Sequence, residues 1–395
     1  MPANVMSWYR PMAGRSTGEE HRTATPLELF FDLCFVVAVA LAAERLHHAV
    51  AENHIGHGLV GYLTVFFAVW WAWMNFTWFA SAYDTDDGVY RLTTLVQIAG
   101  VLVLAAGVPR AFDNTDFTVI TAGYVLMRLA MVGQWLRAAH GDPARRPCAL
   151  RYAAGITIVQ AGWVARLALP AGTAIPSFLV LAAAELAVPL WAERAPATPW
   201  HREHIAERFG LFTLIVLGES VLAATTAVQS ALDGARGHGT RDLLSLAGAG
   251  VVVVFSMWWL YFDTPAHDLL TSVRMAFAWG YGHLAIFASV AAVGAGLQVN
   301  VDYALHVAHI GPATAGAAIA VPVALYLVSV WVLQVCPHQR GLLAAAFPVA
   351  AVLVLATPFM PAPVHATAAV LAVLVAVTTA TASHRATARR KPAAG

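Results

Sequence analysis

The chain has 395 residues, 59% hydrophobic and 11% charged, with a mean hydropathy of +0.66. A soluble domain carries about a quarter charged residues, so this composition excludes a large water-soluble domain. The net charge of +1 carries no message about nucleic acid, which is not expected as a partner, because it hides a sidedness that matters more.

A helix crossing the bilayer needs about 20 mostly apolar residues. The sequence predicts twelve such spans, at 27–48, 58–80, 92–109, 117–138, 150–170, 175–193, 205–228, 241–262, 275–297, 312–335, 341–359 and 364–382. The expected fold class is therefore all-α, a polytopic membrane protein embedded among membrane lipids. Residues 1–26 form a polar amino-terminal tail with Glu19 and Glu20, lacking the basic-then-apolar pattern of a cleaved signal. Span 1 is accordingly expected to be an uncleaved anchor. Residues 384–395 form a basic carboxy-terminal tail.

The cations fall in alternate gaps. Arg10, Arg15, Arg22, Arg91, Arg137, Arg145, Arg146, Arg151, Arg194, Arg202, Arg208, Arg274, Arg340, Arg385, Arg389, Arg390 and Lys391 share one side, seventeen against three on the other, Arg110, Arg236 and Arg241. The positive-inside rule puts both termini in the cytoplasm. Arg45, Arg128 and Arg166 remain within spans.

Charged groups at bilayer depth cost at least about 2.5 to 3.5 kcal/mol each, so those that persist face a bundle interior or water path and have a partner. Taken in chain order, Thr25-Pro26 reads as a helix start, with Thr as N-cap and Pro at the first position. Glu28 and Asp32, four residues apart, share one face of span 1 and need a proton, a cation or an arginine between them. Glu28 also suits the positive end of the helix dipole. The acids of Asp84-Thr-Asp86-Asp87 are expected to be solvated or near Arg91. Arg128 in span 4 and Glu185 in span 6 are natural partners for each other or for the acids of spans 1 and 7. Glu207 opens span 7 beside Arg208 and one turn after His204. Glu219 lies deepest, between Gly218 and Ser220 in the middle of span 7, and is the best single candidate. Asp263 ends span 8, and His283 in span 9 is a proton carrier or a packed, hydrogen-bonded residue. Glu44, Arg45 and Arg166 are near span ends, where long side chains reach the headgroups.

Histidines gather on the outer side at His47, His48, His54, His57, His238, His306 and His309, without HExxH or Cys-His spacing. No metal and no cofactor is therefore predicted. Cys34, Cys148 and Cys336 are scattered and read as small packing residues.

Order and spacing suggest an internal duplication, 27–195 and 196–383, in parallel orientation. Glu28-Leu-Phe-Phe-Asp opens span 1 and Glu207-Arg-Phe-Gly-Leu-Phe opens span 7; Trp70-Trp71-Ala-Trp73-Met-Asn75 ends span 2 and Trp258-Trp259-Leu-Tyr261-Phe-Asp263 ends span 8. Interfacial aromatics recur in membrane proteins generally, which is the competing account.

The segments Thr25-Pro-Leu-Glu-Leu-Phe-Phe-Asp-Leu-Cys-Phe-Val and His204-Ile-Ala-Glu-Arg-Phe-Gly-Leu-Phe-Thr-Leu-Ile-Val-Leu-Gly-Glu-Ser, with the Trp-Trp-Leu-Tyr-Phe-Asp ending of span 8, resemble the bacterial low-temperature-requirement A family of membrane proteins. The resemblance covers essentially the whole chain and puts emphasis on Glu28, Asp32, Glu207, Arg208, Gly218, Glu219 and Asp263. It implies no reaction or substrate. A second, narrower similarity, of Phe31 and Asp32 to the opening of six-span organellar potassium channels, points toward ion permeation.

The leading functional expectation is a transporter or ion-conducting protein for a small solute or cation, with Glu219, Asp32 and Arg128 at a proton- or cation-linked site and Glu28, Glu185, Glu207, Asp263 and His283 in support. An integral-membrane enzyme using the same acids on a lipid or isoprenoid-like substrate is the alternative. A stress or scaffold protein without turnover is the third.

Overall fold

The computed structural model describes residues 7–16, 19, 22–233, 240–264, 266–337 and 341–390. Arg236, His238, Arg340 and Lys391, named above, and Glu20 lie outside the described residues, as do the side chains of Arg385, Arg389 and Arg390. No strand occurs among the described residues. Among the described residues twelve α-helices run in order: α1 Pro26–Ala51, α2 Ile55–Tyr83, α3 Gly88–Asn114, α4 Thr118–Gly141, α5 Arg146–Arg166, α6 Ala174–Ala192, α7 Arg202–Asp233, α8 Thr240–Phe262, α9 Val273–Ala304, α10 Pro312–Val330, α11 Leu342–Ala356 and α12 Pro363–Arg390. The fold is thus all-α, as the lengths of the apolar runs predict.

Ten of these helices are long and apolar enough to cross a membrane. The other two, α5 and α11, fall short for different reasons. Arg146, Arg151 and Arg166 dilute the apolar character of α5, while α11 is only 15 residues long before a 3-10 turn, Thr357–Phe359, ends it. α10 runs on into a π-helical turn over Trp331–Val335.

Local chemistry sets several helix starts. Thr25 and Glu28 form a reciprocal capping box: the Glu28 N–H donates to Thr25 Oγ1 at 3.3 Å and the Thr25 N–H to Glu28 Oε2 at 2.8 Å. Asp87 caps α3 by accepting from the Tyr90 N–H at 2.8 Å, and Ser272 caps α9 by accepting from the Met275 N–H at 3.3 Å.

The chain divides into two compact units, Met1–Ala42 with Gly61–Phe209 and Ala43–Val60 with Gly210–Gly395. In the first, α3 packs on α4, α4 on α5 and α5 on α6. Small residues bring α3 and α4 together. A Cβ on Gly123 would lie 2.4 Å from the Leu104 nitrogen, and one on Gly100 2.8 Å from the Gly123 oxygen. Such close approach is how helices associate where lipid removes the hydrophobic drive. The amino-terminal segment is strapped across one end of this unit. The Gly88 N–H donates to Ser7 O at 3.1 Å, Arg15 N–H to Ala82 O at 3.0 Å, and Met12 is fully buried against Gly141.

In the second unit α9 is the most enclosed helix, 83% of its apolar window being buried, with α8 and α10 against it. Gly296 lets α10 approach to backbone contact: an added Cβ would sit 2.2 Å from the Ala318 oxygen. One turn on, Asn300 Nδ2 donates to Gly296 O at 2.7 Å and to Ala315 O at 2.8 Å. Tyr326 of α10 donates to Met257 O of α8 at 2.6 Å, and Ser220 of α7 to Val290 O of α9 at 3.1 Å.

Candidate functional site

The densest chemistry lies in the first unit, where the starts of α1 and α7 meet the end of α2. Asp32, seven residues into α1, accepts from Arg208 through both oxygens, Nη2 to Oδ1 at 2.5 Å and Nε to Oδ2 at 3.1 Å. This is a bidentate pair, the strongest form of such contact. Trp73 Nε1 donates to Asp32 Oδ1 at 2.7 Å. Arg208 Nη1 lies 3.0 Å from Glu28 Oε1, and His204 Nε2 3.2 Å from the same oxygen. Beneath them Arg208 faces the Phe76 ring at 6.0 Å, and Phe31 stacks on Phe76 at 3.8 Å.

The network continues outward. Arg22 Nη2 donates to Ala80 O at 2.7 Å, and its other terminal nitrogen donates to Ser81 O. The same Nη2 lies 3.7 Å from Glu28 and 3.8 Å from Asp84. Arg22, Glu28, Asp32, Asp84, His204 and Arg208 are all buried. Glu207 is half-buried and accepts from the Ala24 N–H at 3.2 Å.

A second ion pair lies deeper in the same unit. Glu185, fully buried, accepts from four donors: Trp71 Nε1 at 2.9 Å, Tyr124 Oη at 3.0 Å, Trp163 Nε1 at 3.2 Å, and Arg128. With its lone pairs filled, this carboxylate holds α2, α4, α5 and α6 together and offers little to a ligand. Of the loop acids, Asp86 pairs with Arg91 at 2.7 Å in the open. Asp84 and Asp87 do not follow the expectation of solvation: Asp87 is buried, pairs with Arg137 and accepts from the Arg10 N–H at 2.6 Å. The folded-back amino-terminal segment removes both from water.

The remaining candidates are in the second unit. Glu219 is half-buried and has no hydrogen bond or ion pair among the described residues. His283 is fully buried; its Nδ1 donates to Trp279 O at 2.8 Å, so its Nε2 accepts from Tyr261 Oη at 3.0 Å. Asp263 is exposed at the end of α8. Within the first unit Asp32 is held by Arg208 and Arg128 by Glu185, while Glu219 belongs to the second unit. Among the outer histidines, His47 Nε2 lies 2.7 Å from Asp302 Oδ2. No cluster of three or more metal-ligating side chains occurs among the described residues.

Trp73, Arg22, Asp84 and His204 escaped the sequence-based candidate set. Arg22 counted only as a sidedness charge, and Trp73 as an interfacial aromatic. The available signal was the need of two acids on one helix face for a shared cation.

A chain whose described residues are mostly helical and without strands, and whose long apolar helices enclose buried ion pairs, is a multi-pass integral membrane protein. It belongs to the bacterial low temperature requirement A (LtrA) family, whose model matches residues 23–382. The chain is also 27% identical, over 325 residues, to an uncharacterized protein of Rhizobium meliloti (strain 1021), a match covering 77% of this chain and 75% of that one.

Proposed function

We propose that the protein moves a small solute or an ion across the membrane in a proton- or monovalent-cation-linked manner, with the Glu28–Asp32–Arg208 network as its coupling site. The observation that carries this reading is a mismatch of charge. Glu28, Asp32 and Asp84 bring three carboxylates, Arg22 and Arg208 bring two guanidiniums, and all five are buried. One proton, on His204 or on a carboxylate, or one monovalent cation completes the balance. A residual charge in a low-dielectric setting is costly, so the network favours holding that one positive charge.

Asp84, just beyond the end of α2, supports the proton version. Burial, and then the Glu28 carboxylate, push it up to about 6 against the pull of Arg22, where a group changes protonation close to physiological pH. The arginine asymmetry of the sequence supports cytoplasmic termini, which would place this network near the inner face.

The test is proton and potassium flux into proteoliposomes under imposed pH and potassium gradients, for the parent, Asp32→Asn, Asp84→Asn, Glu219→Gln and empty vesicles. Each variant is first shown to purify as a monodisperse species. Gradient-driven flux above empty vesicles is expected for the parent, abolished in Asp32→Asn and with its pH dependence near 6 removed in Asp84→Asn. Loss in Glu219→Gln would add that acid to the pathway. Parental flux equal to that of empty vesicles for both ions, or full flux in Asp32→Asn, would overturn the proposal.

A further inference from the structure

The first unit also holds a cavity, at the end of α5 that lies away from the ion network. Its walls include Phe67, Ile120 and Phe178, and Tyr124 and Trp163 form part of its lining. Both of these direct their polar atoms to Glu185, which leaves ring surface for the cavity. Two polar residues in the lining are incompletely used. Arg166 donates from Nε to Ser177 Oγ at 3.1 Å and from Nη2 to Ala174 O at 2.8 Å, and its Nη1 has no acceptor among the described residues. Thr121, 7% exposed, has a hydroxyl with no partner among the described residues. The Arg166 guanidinium lies 5.2 Å from the Phe117 ring centre and 5.9 Å from those of Trp163 and Phe178. The amino-terminal end of α6, at Ala174, adds partial positive charge beside it.

The size of the cavity decides what it can take. Its free volume is about 30 Å³, against about 300 to 1,000 Å³ for pockets that enclose a small-molecule ligand. It therefore admits a group of a few atoms whose parent molecule stays outside. Outside are lipid-facing surfaces: Ile158 and Val164 on α5, and Leu179 and Val180 on α6, are exposed large apolar residues. An amphipathic anion with its charge on Arg166 and its chain on this apolar face satisfies every one of these features. Glu185, already saturated by four donors, offers nothing to a headgroup ammonium.

We propose that Arg166 and Thr121, with the aromatic cavity they line, form a binding site for an anionic phospholipid. The phosphate meets the free Arg166 and Thr121 donors, and an acyl chain lies along α5 and α6. Basic pockets between membrane helices recognise anionic lipid headgroups on this electrostatic principle.

The test uses the full chain in nanodiscs containing dibromo-acyl phosphatidylglycerol or dibromo-acyl phosphatidylcholine. The quenching that belongs to Trp163 is taken as the difference between the parent and Trp163→Phe. A several-fold excess of quenching by the anionic lipid is expected, lost in Arg166→Gln and kept in Arg110→Gln, an exposed arginine that does not line the cavity. Should Arg166→Gln fail to purify, Thr121→Val, which removes one donor at nearly constant shape, is expected to reduce the excess. Equal quenching by the two lipids, equal loss in the two arginine variants, an unchanged excess in Thr121→Val, or displacement by millimolar inorganic phosphate would each overturn the assignment.

Discussion

Asp84→Asn offers the sharpest quantitative test of the buried network. Asp84 rises from an ordinary 3.8 to about 6, by burial first and the Glu28 charge second, with Arg22 opposing. Its folded state therefore binds the proton more tightly than the unfolded chain. Stability from this group is highest below about pH 4, falls as pH climbs through 6, and is flat above. The full span corresponds to about 3 kcal/mol at neutral pH, a figure already net of the attraction to Arg22. Asparagine lacks the titrating charge but keeps an oxygen to accept from the Asp86 N–H, now at 2.9 Å. Arg22 in turn keeps the carbonyls of Ala80 and Ser81. The variant should lie only about 1 kcal/mol above the parent at pH 4.5 but about 3 kcal/mol above it at pH 7.5, where it melts several degrees higher, measured by tryptophan fluorescence in detergent. The same pH-induced change in melting temperature for parent and variant would refute the reasoning.

Other outcomes follow from neighbouring geometry. Arg208→Gln leaves Asp32 buried with only the Trp73 N–H, so a loss of about 3–5 kcal/mol is expected; Asp32→Asn with Arg208→Gln should cost less than the two separate losses added, a coupling read by thermal melts of all four proteins. Glu185→Gln should destabilise by a similar amount through the stranded Arg128, whereas Tyr124→Phe, which removes one of four donors, should cost about 1 kcal/mol by the same melts. Gly296→Ala puts a methyl 2.2 Å from the Ala318 oxygen and should cost about 1–3 kcal/mol. Gly56→Ala, which meets nothing within 4 Å, should stay within about 0.5 kcal/mol, with monodisperse yield on size exclusion as the readout.

Apolar run length made the helical class and most helix positions legible, because bilayer thickness and backbone hydrogen bonding together dictate them. Thr25, Pro26 and Glu28 likewise announced the start of α1 by local capping chemistry, which needs no tertiary information. Partners separated by 176 residues, such as Asp32 and Arg208, are set by which helix faces meet. Periodicity along one helix marks the face without naming what it touches. Glu219 illustrates the converse: depth in the span made it the leading acid, yet the structure gives it no partner among the described residues, since depth does not fix the direction a side chain takes. Trp71 and Trp73 are fully buried while Trp258 and Trp259 are exposed, so similar aromatic strings serve different surroundings.

The strapped amino-terminal segment constrains the order of assembly. Arg10 is translated early, but Asp87, which accepts from its N–H, follows 77 residues later, and Arg137, which donates to its carbonyl at 2.8 Å, follows after 127. The seat for Met12 against Gly141 is completed only when α4 has been made. This segment must therefore wait for the chain that follows it: its contacts with Ala82, Asp87 and Gly88 need α2 to be complete, and those with Arg137 and Gly141 need α4. A bulky fusion at this end would interfere with that late closure more than with insertion of the helices themselves.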